Sequence, residues 1–188
     1  MERQIFLRSD LELFEQIKFG DNQKALECLF DKYFRSLCVF AKTFLNTNDL
    51  AEEVVSDVFV KVWDKRKCLE VNTNVRAYLY RSVKNESLNQ LKKDYWDFED
   101  LSEQEYEISS EESNAEHMIM FEETSLAIDE LINQMPPKRA LIFRLNRIDG
   151  LKYKEIAELL FISVYTVQNH MIEAVKFISG YHTNIESD

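Results

Sequence analysis

The sequence is poor in glycine and proline, with only 3 glycines and 2 prolines in 188 residues. Many-stranded sheets need tight turns, and dinucleotide-binding folds and P-loops need glycine-rich loops, so these architectures are not expected. A hydrophobic content of 45% is nevertheless enough to build a folded core. The composition therefore favours an all-α protein and excludes a wholly disordered chain.

Cysteines and long apolar runs are also scarce. Cys28, Cys38 and Cys68 are odd in number and lack C-x-x-C spacing, which indicates reduced thiols in a cytosolic protein. No run approaches the ~20 apolar residues of a membrane helix, and the N-terminus carries no hydrophobic signal core. We therefore expect a cytoplasmic protein without membrane insertion.

The chain also lacks an assembled set of catalytic groups. His117, His170 and His182 have neither a Ser or Cys nucleophile context nor paired metal ligands around them. We expect no enzyme activity, no metal site and no cofactor.

Basic residues are missing from one central stretch. The net charge is −11, and residues 94–122 contain 11 acidic residues and no Lys or Arg. Residues 1–93, by contrast, hold 16 basic and 14 acidic residues. The sequence therefore predicts a domain over 1–95, an acidic flexible linker over 96–122, a second domain over 123–182 and a tail over 183–188.

Apolar residues in the first domain recur at helical spacing. They predict two helices between Leu11 and Leu45 that are separated at Gly20-Asp21-Asn22, a third from Asn48 or Asp49 as N-cap, and a fourth from about Val75 to Lys93. The first domain is therefore expected to contain four helices.

Two surfaces of this domain carry charge. The third helix has an acidic edge of Asp49, Glu52, Glu53 and Asp57, which either complements the helix dipole or binds a basic protein. The fourth helix places Arg76, Tyr80 and Lys84 on one row, with Arg81 and Asn85 on the next and Lys92 and Lys93 beyond them. Cations interleaved with aromatic residues fit single-stranded nucleic acid, although a solvated charged face is the alternative.

The second domain ends in a predicted helix-turn-helix. Tyr153–Leu160 and a helix from Val164 to about Ile178 flank a short connection in which Ser163 is the expected N-cap. We expect the inward stripe to be Val164, Val167, Met171, Val175 and Ile178. The outward set is then Tyr165, Thr166, Gln168, Asn169, Ile172, Glu173 and Lys176, which suits reading of base edges. An ordinary helical hairpin is the alternative.

The order of these motifs resembles the extracytoplasmic-function sigma factors of the bacterial sigma-70 family. The resemblance is carried by Asn48–Trp63 (NDLAEEVVSDVFVKVW), Val75–Asn85 (VRAYLYRSVKN), the acidic linker, and the helix-turn-helix opened by Gly150–Ala157 (GLKYKEIA). It implies an all-α protein of two small helical domains, sigma domain two and sigma domain four.

The resemblance also implies partners and contact residues. The partners would be core RNA polymerase, through its beta-prime clamp helices and beta subunit, promoter DNA as duplex and as melted single strand, and, as a candidate, an anti-sigma factor. Polymerase contacts would be Asp49, Glu52, Glu53, Asp57, Phe59 and Trp63. Contacts to the minus-10 element would be Arg76, Tyr78, Tyr80, Arg81, Lys84, Asn85, Lys92 and Lys93. Contacts to the minus-35 element would be Ser163, Tyr165, Thr166, Gln168, Asn169 and Lys176.

The implied function is that of a promoter-specificity subunit that directs the polymerase to minus-10 and minus-35 elements and initiates DNA melting. Three features of this sequence bear on that function. Phe161 stands in the helix-turn-helix turn where the family usually has glycine, so a left-handed backbone there would be strained. Glu173 stands where a basic residue is common, which predicts weak minus-35 binding by this domain alone. The acidic linker is either a spacer or a polyanion that enters the RNA-exit path. A free-standing helix-turn-helix regulator with an N-terminal dimerisation or ligand module is the alternative function.

Overall fold

The computed structural model describes residues 9–71, 74–97 and 129–185, and the side chains among them except those of 93–97 and 180–185. The chain divides into two compact units, Met1–Glu107 and Ile108–Asp188. All regular secondary structure in the described residues is helical, which confirms the predicted fold class. The predicted linker is outside these residues apart from 96–97, as is the end of the tail, so the flexibility of the linker stays a prediction.

Four helices form the N-terminal unit, as predicted: α1 (Asp10–Gly20), α2 (Gln23–Ala41), α3 (Asn48–Lys65) and α4 (Val75–Asp97). Ser9 and Glu12 form a capping box at the start of α1. The left-handed residue after α1 is Asp21, with φ 47°. The N-cap of α3 is Thr47, whose Oγ1 accepts from the backbone N of Leu50 at 3.3 Å, so the expected Asn48 or Asp49 cap is wrong by one or two positions.

The core of this unit is continuous through all four helices. Aromatic rings join α2 to its neighbours: Phe40 lies 5.0 Å from Tyr80 of α4, and Phe30 lies 5.0 Å from Phe59 of α3. The buried apolar side chains include Leu13, Phe14, Ile17, Leu29, Leu37, Val55, Val58, Val62, Val75, Leu79 and Val83. These contacts fix the orientation of α3 and α4, and therefore which of their side chains reach the surface.

The C-terminal unit begins in the described part of the chain with helical residues 129–133. After Pro136 follow α5 (Pro137–Phe143), which continues as a π-helical turn over Arg144–Ile148, then α6 (Tyr153–Leu160) and α7 (Val164–Ile185). Arg144 donates to the carboxylate of Asp129 at 2.6 Å and thereby ties the π-helical turn to the first helical residues. Gly150, with φ 65°, supplies the left-handed position before α6.

The packing of α7 differs from the predicted stripe. Val167, Met171 and Ala174 are buried, whereas Val164 and Val175 are exposed. Residues spaced by 4 and 3 positions lie on one narrow face of a helix. The predicted stripe followed the apolar residues along the sequence, but the small Ala174 lies on the packed face.

No helix within the described ranges combines the length and the apolar character that crossing a membrane requires.

Candidate nucleic-acid and partner interfaces

One face of α3 is strongly acidic. Asp49, Glu52, Glu53 and Asp57, here called the acidic face, are all exposed. No ion pair joins any of them to another residue of the described chain. Asp49 alone lies in the first turn, so complementing the helix dipole does not account for Asp57, two turns further along. The acidic face therefore has no ion-pair partner in the described chain and is exposed to an external one.

Apolar side chains lie beside these carboxylates. Val60 is 58% exposed and lies seven positions after Glu53, on the same side of the helix. Trp63 is half-buried, and the guanidinium of Arg66 lies 4.2 Å from its ring centroid. Arg66 in turn binds Asp21 at 2.6 Å, which fixes the end of α3 against the turn between α1 and α2. Protein interfaces commonly combine an apolar centre with polar surroundings.

Phe59 is buried in this structure, so its burial does not support the predicted polymerase contact, which stays a prediction. The side chain is buried and its ring packs against Phe30. Sequence reasoning missed Val60, which is the exposed apolar residue at this point of α3. Its spacing of seven from Glu53 places Val60 on the acidic side of α3. This was overlooked because Val60 lies among several valines that are mostly buried.

The predicted basic row of α4 faces the core. Tyr80 is fully buried and Lys84 is only 7% exposed, so the structure does not support either as a DNA contact, and both assignments stay predictions. Burial lowers the pKa of Lys84. Tyr80 and Lys84 are buried because α1, α2 and α3 all pack against α4. The buried face of α4 is therefore wide enough to include the row next to Val75, Leu79 and Val83.

Arg76 has a structural role at the start of α4. Its Nε donates to the hydroxyl of Tyr33 at 3.0 Å, and its guanidinium lies 3.8 Å from the carboxylate of Asp10. The Tyr33 hydroxyl also bonds to Asp10, and burial together with this bond raises the pKa of Tyr33. The cluster joins α1, α2 and α4, so Arg76 is at most partly available for DNA.

The exposed face of α4 is the second of the two predicted rows, the one that contains Arg81 and Asn85. Arg81, Asn85 and Lys92 are exposed, as are Leu88 and Asn89, which sequence reasoning did not select. Tyr78 is half-buried and lies on the same side, three and seven positions before Arg81 and Asn85. We call Tyr78, Arg81, Asn85, Asn89 and Lys92 the polar face of α4. The side chain of Lys93 is outside the described residues.

The helix-turn-helix has the predicted order and cap. Ser163 Oγ accepts from the backbone N of Thr166 at 2.9 Å, which confirms Ser163 as the N-cap of α7, and it lies 2.8 Å from Thr166 Oγ1. Tyr165, Gln168 and Asn169 are exposed on the first two turns. Phe161 adopts φ 53° and ψ 42°, so the turn keeps the left-handed backbone despite lacking glycine.

The cation of α7 is paired with an acidic residue, and further cations lie on α5 and α6. Lys176 Nζ lies 3.0 Å from Glu173 Oε1, and this bond lowers the pKa of Glu173. Partial burial lowers the pKa of His170, and the positive charges of Lys138 and Arg139 on α5 lower it further. Lys152 and Lys154, at the start of α6, are exposed. These four cations outside α7 were missed, because the sequence does not show which elements pack beside the recognition helix.

Two family models match this chain. Sigma-70 region 2 matches residues 29–100, and Sigma-70, region 4 matches residues 125–178. The first covers most of α2, all of α3 and α4, and the second covers α5, α6 and most of α7. Together the two matches cover most of the chain. They include the acidic face of α3, the polar face of α4 and the helix-turn-helix.

Curated relatives align over nearly the whole length. The ECF RNA polymerase sigma-E factor of Escherichia coli strain K12 is 25% identical over 180 residues, covering 92% of this chain and 93% of the relative. The sigma-E factor of Haemophilus influenzae is 22% identical and covers 92% and 94%.

Solved structures share the fold. The sigma factor RpoE in complex with the anti-sigma factor NepR from Bartonella quintana matches with a TM-score of 0.55 at 20% identity, covering 84% of this chain and 96% of that one. CnrH in complex with the cytosolic domain of CnrY matches with a TM-score of 0.52 at 19% identity, covering 93% and 97%.

These matches do not favour a free-standing regulator, because the N-terminal unit is matched as sigma region 2 rather than left unexplained. Region 2 precedes region 4 in this chain, and ECF relatives align over nearly its whole length. The chain therefore belongs to the sigma-70 family as an extracytoplasmic-function sigma factor, a promoter-specificity subunit.

Proposed function

We propose that the acidic face of α3 binds a basic surface of core RNA polymerase, the beta-prime clamp helices. The observation that carries this proposal is the set of four exposed carboxylates without an ion-pair partner in the described chain, beside the exposed Val60. Carboxylates of this kind speed association and exclude wrong partners, while a desolvated apolar centre supplies affinity. Val60 would be that centre, flanked by Trp63.

The polar face of α4 would capture the melted minus-10 strand. Arg81 and Lys92 would neutralise phosphates, Tyr78 would stack on an unpaired base, and Asn85 would hydrogen-bond the edge of a flipped-out base. Promoter melting by this route needs no catalytic group, because binding energy for the single strand offsets the cost of unpairing. The chain would therefore act as a binding subunit and not as an enzyme.

The C-terminal unit would hold the minus-35 duplex. In helix-turn-helix proteins the second helix enters the major groove while the first crosses the backbone. This assigns base contacts to Tyr165, Gln168 and Asn169 of α7 and phosphate contacts to Lys152 and Lys154 of α6. Because Lys176 is bound to Glu173, affinity for duplex DNA by this unit alone would be weak, and attachment to the polymerase would compensate by effective concentration.

An anti-sigma factor is a further proposed partner, because the Bartonella quintana relative was solved in complex with one. The protein would act in the bacterial cytoplasm, at the nucleoid when it is part of the holoenzyme. Core polymerase would also contact the chain through its beta subunit.

Run-off transcription with purified core polymerase tests the function as a whole. We expect the chain to co-purify with core enzyme and to produce transcripts from discrete start sites, with no product when either component is omitted. If the chain fails to bind core enzyme yet binds specific duplex DNA alone, the proposed function is contradicted. The result would instead support a free-standing helix-turn-helix regulator.

A further inference from the structure

The outward face of α7 has a definite chemical character. Opposite the buried Val167, Met171 and Ala174, the exposed row consists of Tyr165, Asn169, Ile172 and Lys176, with Gln168 beside it. A recognition helix presents the N-terminal part of such a row to base edges. The residue types in this row therefore limit which base pairs the helix can read.

The cations that most often read guanine are absent from that part of the helix. Between Val164 and Val175 the sequence contains no Lys or Arg, the residues that make the commonest specific contact to guanine. Lys176 is the first cation of α7, and its Nζ already bonds to Glu173 at 3.0 Å. Gln168 and Asn169 are instead suited to the paired donor and acceptor of adenine.

Exposed β-branched side chains lie among these amides. Ile172 is 46% exposed, and Val164 and Val175 are similarly open on the flank that contains Gln168. Apolar side chains at a major-groove surface match the C5-methyl group of thymine, which other bases lack. Placing Ile172 between the amides and Lys176 gives the helix a thymine-reading group next to its adenine-reading groups.

Given the proposed minus-35 role of this unit, on which this inference rests, we propose that α7 reads a duplex element of A·T pairs. Gln168 and Asn169 would contact adenine edges, and Ile172, supported by Val164, would contact thymine methyl groups. No guanine-specific contact would be made by the first three turns. Specificity would then be set by amides and methyl groups, while Lys152 and Lys154 would supply affinity without sequence preference.

Selection from a promoter library with the reconstituted holoenzyme gives the first test. The upstream region is randomised and the minus-10 region is kept constant, and we expect A·T pairs to be enriched at the positions that face α7. Enrichment of an upstream element dominated by G·C pairs would overturn this inference and leave the proposed function intact. Enrichment of no upstream element would overturn both.

Single-group substitutions give the second test. Deoxyuridine in place of thymine removes only the methyl group, and we expect holoenzyme binding to fall by about fourfold at each contacted thymine, the factor for burying one CH₂-sized group. In Ile172→Ala this sensitivity should vanish at one position, whereas Ile148→Ala, an exposed isoleucine outside α7, should retain it. Equal sensitivity in both variants would overturn the assignment of Ile172.

A gain-of-function variant separates readout from folding. Asn169→Arg should shift the preferred base at one position to guanine in the same selection, because arginine pairs with guanine in a bidentate manner. An unchanged motif in this variant, with transcription retained, would remove Asn169 from the base-reading set.

Discussion

Replacing Phe161 by glycine should stabilise the C-terminal unit. Phe161 adopts φ 53° and is 85% exposed, so its ring contributes little burial while its backbone lies in the left-handed region. That conformation costs roughly 1–2 kcal/mol for a residue with a Cβ. Glycine removes this cost but adds about 0.4–1 kcal/mol of unfolded-state entropy. The expected net gain is therefore about 1 kcal/mol.

Native-state hydrogen exchange in the full-length chain measures this gain locally. The amides of Met171 and Ala174, on the buried face of α7, should exchange about fivefold more slowly in Phe161→Gly than in Phe161→Ala. Alanine is the matched control, because it removes the ring and keeps the left-handed cost. Equal exchange in the two variants would refute the claim that Phe161 is strained by its backbone.

Three further changes test other parts of the structure. Glu173→Gln should release Lys176 and strengthen holoenzyme binding to the upstream element by a few-fold at low salt, an effect that should fade as salt rises; equal affinities at all salt concentrations would contradict it. Arg81→Ala should slow promoter opening on the order of tenfold, whereas Lys84→Met, at a buried position, should change the rate by no more than about twofold. A larger effect of Lys84→Met in a strand-opening assay would instead support DNA contact by the row that contains Lys84. The pKa of His170 is lowered from 6.5 in the folded unit, so the unfolded chain binds more protons and the unit should lose stability as pH falls below 6.5. His170→Gln should remove this contribution in denaturation measured across that range, and an unchanged pH dependence would show that other groups cause it.

Helix positions in this chain follow from local signals. The break at Gly20-Asp21-Asn22 and the cap at Ser163 each depend on a few neighbouring residues, and the structure agrees with them. Exposure of the acidic face was likewise predictable, because its carboxylates cannot be buried without partners.

Side-chain burial on α4 did not follow from the sequence. The apolar spacing of α4 identifies one buried line, but three other helices cover α4, and they also enclose Tyr80 and Lys84. Lysine is rarely buried, so no rule of composition selects it. The burial of Phe59 and the exposure of Val164 and Val175 were misjudged for a related reason, since only packing decides which residue of a mixed stripe faces inward.

The central claim is that the acidic face of α3 binds core polymerase, and the affinity of the full-length chain for purified core enzyme tests it most directly. The double variant Glu53→Lys with Asp57→Lys reverses two exposed charges, and Glu27→Lys reverses an exposed charge on α2 as a matched control. Like-charge contacts across an interface are strongly unfavourable. The dissociation constant should rise on the order of tenfold or more in the double variant and stay unchanged in the control. Equal affinity of the double variant and the unmodified chain would contradict the docking surface proposed for α3.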